Sequence, residues 1–249
     1  MQQSNAYIII FTGILTVILA TLLSGTSVLL KDRQDQQVEL DTKKKILGAV
    51  MDISAIENPE EVLKLYDARI SSLAVDIEGN EVTTTSKGLK MEAEKVNIGK
   101  NYKLDAKERV YPVFRFTGEN GEVEGYIFPM FGAGLWDAIS GYIALEPDLN
   151  TVKGISLDHV GETPGLGARI TDAEVQERYK GKKIFDGTTL VSVSMLKGEG
   201  NAGLTEYEID GMSGATITAK GVNKMLEHYL TCYMAYMDKI KGAQKVALN

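Results

Sequence analysis

Residues 7–30 read YIIIFTGILTVILATLLSGTSVLL and contain no Asp, Glu, Lys, Arg or His. A run of about 20 apolar residues is long enough to cross the hydrocarbon core of a bilayer as a helix. A cleaved secretory signal is the competing reading. It fits less well, because the 1–6 tail lacks the Lys or Arg of an n-region and the apolar run is longer than an h-region. The expectation is therefore a retained single-pass anchor over 7–30. Within it Thr12, Thr16, Ala20 and Ser24 recur every four residues and share one helix face. Small side chains on one face let another helix approach closely. With no carboxylate or Lys in the span, any ion pathway is expected elsewhere. Lys31, Arg33 and Lys43 to Lys45 follow the span and by themselves would hold the following domain in the cytoplasm. Asp32, Asp35, Glu39 and Asp41 are mixed among them, so charge leaves the side open.

The rest of the 249-residue chain is long enough for one sizeable domain. Net charge is −7, and no Lys/Arg run is interleaved with aromatics, so no nucleic acid partner is expected. Cys232 is the single cysteine, which leaves no internal disulfide and no CxxC motif. The histidines are His159 and His228, little material for a zinc site. Hydride or metal chemistry in such a chain must find its residues elsewhere, or a bound cofactor must supply it.

Apolar spacing predicts a helix over 36–52, carrying Val38, Ile46, Leu47, Val50 and Met51. A second helix is expected after Asn58-Pro59, with Val62, Leu65, Tyr66, Ile70 and Leu73 at three- and four-residue steps. Residues 76–108 read as a short strand or two with an irregular connection. Residues 111–116 and 123–128 then flank Asn120-Gly121, whose positive φ angles suit a tight hairpin turn. A second strand pair, 141–145 and 152–157, surrounds Pro147-Asp-Leu-Asn150. A short helix over 171–179 has Asp172 as its cap. Strands follow at 189–196 and 205–209. The strongest helix is the last, about 219–241, with Val222, Leu226, Tyr229, Leu230, Tyr233, Met237 and Ile240 in one apolar stripe. Hairpins with helices at the ends give an α+β fold, a mostly antiparallel sheet with flanking helices, plus the one N-terminal transmembrane helix. The expected division is a tail at 1–6, the anchor at 7–30, juxtamembrane helices and a connecting segment at 31–108, and an α+β domain at 109–249.

The most informative stretch is Asp210-Gly-Met-Ser-Gly-Ala-Thr-Ile-Thr218, between a strand and the last helix. Gly211 and Gly214 free the backbone for an exposed loop, and the small Ser213 and Ala215 leave Thr216 accessible. The N-terminus of a helix favours anions, because its first N–H groups are unpaired and the dipole is positive there. The bland reading is that a Thr here only caps the helix, with Thr218 the better placed of the two. Thr216 is then free for other chemistry.

Asp210-x-x-Ser213-Gly214-Ala215-Thr216 resembles the flavinylation motif Asp-x-x-(Ser/Thr)-Gly-Ala-Thr, in which a flavin transferase esterifies the final Thr to FMN. Gly-Glu162-Thr163-Pro-Gly165-Leu166-Gly167 is similar to a loop of the same proteins, and Gly134-Leu135-Trp136 to a third block. Anchor, Gly-Leu-Trp, Gly-Glu-Thr-Pro-Gly-Leu-Gly and Ser-Gly-Ala-Thr, in that order, resemble the C-subunit family of Na+-translocating NADH:quinone reductases over essentially the whole chain. The Rnf-type G subunit, serving ferredoxin-linked electron transfer, shares the anchor, the loop and the flavin motif; the Gly-Leu-Trp block favours the quinone reductase.

The resemblance implies covalent FMN on Thr216, with Asp210, Ser213, Gly214 and Ala215 forming its motif. It also implies ring contacts from Glu162, Thr163, Gly165, Leu166, Gly167, Leu135 and Trp136, and no catalytic side chain of the protein's own. A lone Trp is otherwise as readily core as ligand contact. The implied partners are the other subunits of a membrane respiratory complex, among them a second flavin subunit and an iron–sulfur-bearing membrane pair, with the transferase during maturation. Electrons pass between an iron–sulfur centre and the second flavin, while NADH oxidation, sodium movement and quinone reduction lie with other subunits. The implied location is the cell inner membrane, with the soluble domain periplasmic.

Other readings of the middle loop are weaker. Gly165-Leu-Gly167 could begin a dinucleotide fingerprint, but Ile170 stands where the third Gly belongs. His159 with Glu162 lacks a third metal ligand, and Asp158 with Glu162 would be a hydrolytic pair. Cys232 and His228 read as structural. From a different class, a membrane-anchored binding or scaffold protein would use the Ser-Gly-Ala-Thr turn merely as a helix start.

Overall fold

The computed structural model describes residues 4–85 and 88–247, and the chain divides between Thr42 and Lys43 into two units. The first three residues of the 1–6 tail, and residues 86–87, lie outside the described residues.

Helix α1 (Asn5–Gly48, 44 residues) takes in the expected anchor and most of the helix expected at 36–52; it ends at Gly48 and leaves Val50 and Met51 outside it. At 1.5 Å per residue it is about 66 Å long. Its most apolar window has a mean hydropathy of 2.5, and it is long and apolar enough to cross a membrane. Thr16, Thr21 and Thr26 donate their hydroxyls to the carbonyls of Thr12, Val17 and Leu22 at 2.8–2.9 Å. These hydroxyls need no water, which is what an apolar surrounding demands of them.

The larger unit continues with α2 (Pro59–Arg69). Its start is fixed by Asn58, whose side chain accepts the Glu60 N–H at 2.9 Å, and by Pro59 in the first turn. The chain then turns at once into β1 (Ile70–Val75). Ile70 and Leu73 therefore belong to a strand and not to the helix expected of them. They pair with Phe116 and Val113, and strand pairing overrides a spacing that two short elements mimic by adjacency. Between 76 and 108 the expected strands are replaced by isolated bridges, a 3-10 turn (Ala93–Lys95) and the short α3 (Ile98–Asn101).

The sheet proceeds through β2 (Tyr111–Thr117), β3 (Val123–Ala133), β4 (Ala138–Leu145) and β5 (Val152–His159). Its order is β1-β2-β3-β4-β5, antiparallel throughout. In the β2–β3 hairpin only Gly121 takes a positive φ, at 78°; Asn120 does not, and the loop closes through Gly118 N–H on the Glu122 carbonyl at 2.8 Å. A five-residue loop needs one left-handed residue where a two-residue turn needs two.

After β5 come a 3-10 turn (Gly167–Thr171) and α4 (Ala173–Glu177). Asp172 sits at the cap position but makes no capping bond; its carboxylate lies 3.8 Å from Arg169 Nε. The strand expected at 189–196 is broken into β7 (Thr189–Leu190), which pairs with β6 (Phe185–Asp186), and β8 (Ser194–Met195). The break is at Ser192, with φ 61°, where Val191 and Ser192 both donate N–H to the Ile184 carbonyl. β9 (Glu208–Ile209) pairs with β8 in parallel.

Helix α5 (Thr216–Ala247) lies across the sheet. Its expected stripe is buried: Val222, Leu226, Tyr229, Leu230, Tyr233 and Met237 join Tyr111, Phe128, Met130 and Ile143 in one core. Each fully buried side chain of this kind contributes roughly 1.5–3 kcal/mol. Tyr233 stacks tilted on Phe128 at 4.7 Å, and its hydroxyl donates to the Pro112 carbonyl at 2.8 Å. The first turns of α5 press on the end of β3, for a Cβ at Gly221 would stand 2.4 Å from the Ala133 carbonyl oxygen. The same Cβ would stand 3.4 Å from the Gly134 Cα, so the early part of α5 borders the β3–β4 turn.

Candidate flavin site

Three segments, distant in sequence, meet at the start of α5. They are the β3–β4 turn at 134–137, the loop at 160–167 after β5, and the turn at 210–218. Thr216 is the first residue of α5 and is half-buried. Thr218 is not the cap expected of it. It is buried inside the first turn and donates its hydroxyl to Glu162 Oε2 at 2.5 Å.

Glu162 is 4% exposed. Its Oε1 accepts the backbone N–H groups of Leu135 (2.8 Å) and Trp136 (2.9 Å). Burial pushes its pKa up, but the hydrogen bonds from Thr218 and from the Trp136 and Leu135 backbone outweigh this and hold it below the usual range. Thr163 is exposed and accepts the Trp136 indole N–H on its hydroxyl at 3.1 Å. Gly165 turns the loop with φ 74°, and Leu166 packs over Gly214, where a Cβ would stand 2.7 Å from Leu166 Cδ2.

Trp136 is 70% exposed, so the core reading of this residue does not hold. Leu135, Val160, Leu166 and Ile217 are exposed as well. Exposed apolar side chains on segments that meet at a helix start are the arrangement expected where a flat aromatic ligand with an anionic tail binds. The residues present fit FMN: the apolar side chains suit its ring, and the first turn of α5 suits its phosphate.

Asp210 serves the turn from behind. Its carboxylate accepts N–H from Gly200 (2.8 Å), Asn201 (2.9 Å) and Gly211 (3.1 Å), and the Asn201 side-chain amide at 2.8 Å. These bonds, the backbone of Asn201 and Gly200 foremost, bring its pKa down to about 2. Arg178 donates to the Gly211 carbonyl at 2.7 Å and to Glu199 at 3.2 Å, and Arg169 forks onto Glu199 at 2.8 and 3.0 Å. Hydrogen bonds from Arg169 and Arg178 bring Glu199 down to about 2. Arg178, Glu199 and Asn201 carry no signal in the sequence, because they belong to no motif and act from 9 to 33 residues away.

Among the described residues no group of three His, Cys, Asp or Glu could hold a metal ion. Asp158 is engaged by Lys45 Nζ at 2.5 Å, and His159 Nδ1 accepts the Glu162 N–H at 3.3 Å.

A carboxylate whose folded pKa is depressed stabilises the fold above its unfolded pKa and loses that contribution as pH falls through the folded value. For Asp210 the window runs from about pH 4 to about pH 2, and Glu199 acts in the same direction. The melting temperature of the detergent-solubilised chain is expected to fall through that window. Asp210→Asn should melt lower at neutral pH and show a shallower acid fall, measured by circular dichroism.

The FMN-binding domain family matches residues 134–231, a span that takes in all three segments. The C subunit of the Na(+)-translocating NADH-quinone reductase of Haemophilus ducreyi is 32% identical over 92% of this chain and 91% of its own length. Its counterpart in Neisseria meningitidis serogroup B is 31% identical, covering 94% and 95%. The chain belongs to the C-subunit family of Na(+)-translocating NADH-quinone reductases. Solved structures agree. The C subunit of Parabacteroides distasonis superposes with a TM-score of 0.71 at 34% identity, covering 84% of this chain and 96% of that one. NqrC of Shewanella oneidensis gives 0.68 at 26%, covering 82% and 98%. The relatives bear out a resemblance that spans nearly the whole chain, and the solved structures extend it to the fold.

Proposed function

We propose that this chain is the flavoprotein C subunit of a Na+-translocating NADH:quinone reductase, carrying FMN as a phosphoester on Thr216 and relaying electrons within the membrane complex. The observation that carries the reading is that Glu162 joins the exposed Leu135–Trp136 turn to Thr218, two residues past Thr216 at the start of a 32-residue helix. The flavin supplies the redox chemistry. The protein's part is to bind, orient and tether. The first N–H groups of α5 and its dipole favour the phosphate, and Ser213, Gly214 and Ala215 keep the hydroxyl reachable. Leu135, Trp136 and Leu166 offer apolar surface to the ring, with Thr163, Gly165 and Gly167 shaping the loop beside it. Asp210 and Glu162 hold these segments in place. A tether removes the need to retain the cofactor by affinity, which lets the ring edge stay open to a neighbouring carrier.

In this reading residues 7–30 are a retained membrane anchor, 31–108 a juxtamembrane and connecting segment, and 109–249 the FMN-binding domain. The anchor lies in the cell inner membrane with the domain on the periplasmic side. The chain works between an iron–sulfur-bearing membrane pair and a second flavin subunit, and a flavin transferase loads it during maturation. In-gel ultraviolet fluorescence of the denatured chain tests the attachment. A fluorescent band is expected from cells that contain the transferase and none from cells that lack it. A dark band from transferase-containing cells would refute the covalent link.

A further inference from the structure

We propose that Glu162 is the positioning residue of the flavin site, locking the ring-facing turn at Leu135–Trp136 to the first turn of α5; this rests on FMN being carried by Thr216. The carboxylate stands where all three sequence blocks meet. Oε1 accepts from Leu135 and Trp136, and Oε2 accepts from Thr218, two residues past Thr216. One glycine of the Gly-Leu-Trp block and one of Glu162's own block stand against the same group. A Cβ at Gly134 would stand 2.4 Å from Oε1, and a Cβ at Gly167 would stand 2.3 Å from Oε2 and 2.5 Å from the Thr218 hydroxyl. Real Cβ atoms do not approach oxygen so closely, so both positions are cut to fit the carboxylate.

Its chemistry matches its place. Every partner is a donor: two backbone N–H groups on one oxygen and a hydroxyl on the other. An acceptor-only side chain satisfies all three; Gln could keep them by donating its N–H₂ to the Thr218 hydroxyl, which then accepts, whereas Ala removes every one. A buried polar group is costly unless all its bonds are made. At 4% exposure, with both oxygens engaged, Glu162 has no free face for the cofactor. Ring contact therefore falls to the side chains it holds, Leu135 and Trp136, while its second oxygen fixes the helix start that bears the tether. Removing Glu162 should leave the ester on Thr216 and free the ring.

The test uses the full chain matured with FMN in four forms: parent, Glu162→Ala, Thr218→Val and the double variant. Intact mass reads the attachment, and steady-state fluorescence anisotropy reads how firmly the tethered ring is held. Both single variants are expected to keep the FMN mass increment. Their anisotropy should fall by about half, because a freed surface group moves on the nanosecond scale. The double variant should fall no further than the singles, since both act through one contact. Thr218→Val changes one hydroxyl to a methyl, so it serves as the test should Glu162→Ala fail to fold. Parental anisotropy in the folded variants would overturn the positioning role while leaving Thr216 as the flavin site. Absence of the mass increment from the parent itself would overturn the flavin reading and this inference with it.

Discussion

Thr216→Val is expected to give a chain that folds and reaches the membrane yet shows no flavin fluorescence after denaturation. Valine matches threonine in shape, and at a half-buried helix start the change should cost within about 0.5 kcal/mol of stability. What it removes is the hydroxyl oxygen that forms the ester. Without a tether, free FMN must occupy the site by affinity, against an effective local concentration near millimolar for a short link. NADH-driven quinone reduction by the assembled complex should drop by about 100-fold or more at micromolar FMN. Thr218→Val is the matched control. It loses a buried hydroxyl bond to a carboxylate, costing about 1.5–3 kcal/mol, but keeps the label. Equal labelling of Thr216→Val and parent would place the ester on another residue.

Gly211→Ala is expected to be the most damaging single methyl in the site. The Cβ it adds would stand 1.9 Å from the Leu196 carbonyl oxygen and 2.3 Å from that of Gly198. Both atoms are backbone and cannot swing aside. Either the turn at 210–213 or the stretch at 196–198 must move, and overpacking of this kind costs about 3 kcal/mol. The turn is held by Asp210 on one side and by Arg178 on the Gly211 carbonyl on the other, so the shift would reach Thr216. The expected outcome is a clearly lowered melting temperature by circular dichroism together with loss of flavin loading. An alanine variant that melts with the parent and loads fully would show that the turn is not needed in this form.

The sheet and the last helix were legible because their signals are local. Alternating apolar residues at 111–116 and 123–128 with glycine between them allow one pairing, and the stripe from Val222 to Met237 has one face to bury. β1 was not legible, since Ile70 and Leu73 follow directly on Tyr66 at helical spacing and only Phe116 and Val113 across the sheet decide otherwise. β8 and β9 fall inside the strands expected at 189–196 and 205–209, but only two residues of each pair, in parallel. For the site, Thr216 and its neighbouring blocks could be read by resemblance, but their joining could not. Glu162 reaches Leu135 across 27 residues and Thr218 across 56, and a spacing of that kind carries no pattern. The exposure of Trp136 likewise depends on where the β3–β4 turn ends, which only the folded chain determines.

The account stands on one phosphoester, and fragmentation of the peptide that spans residues 210–220 by tandem mass spectrometry tests it most directly. The predicted spectrum from transferase-matured chain carries the mass of FMN less water, with the fragment series placing it on Thr216. A peptide of unmodified mass, or an increment mapped to Ser213 or Thr218, would contradict it.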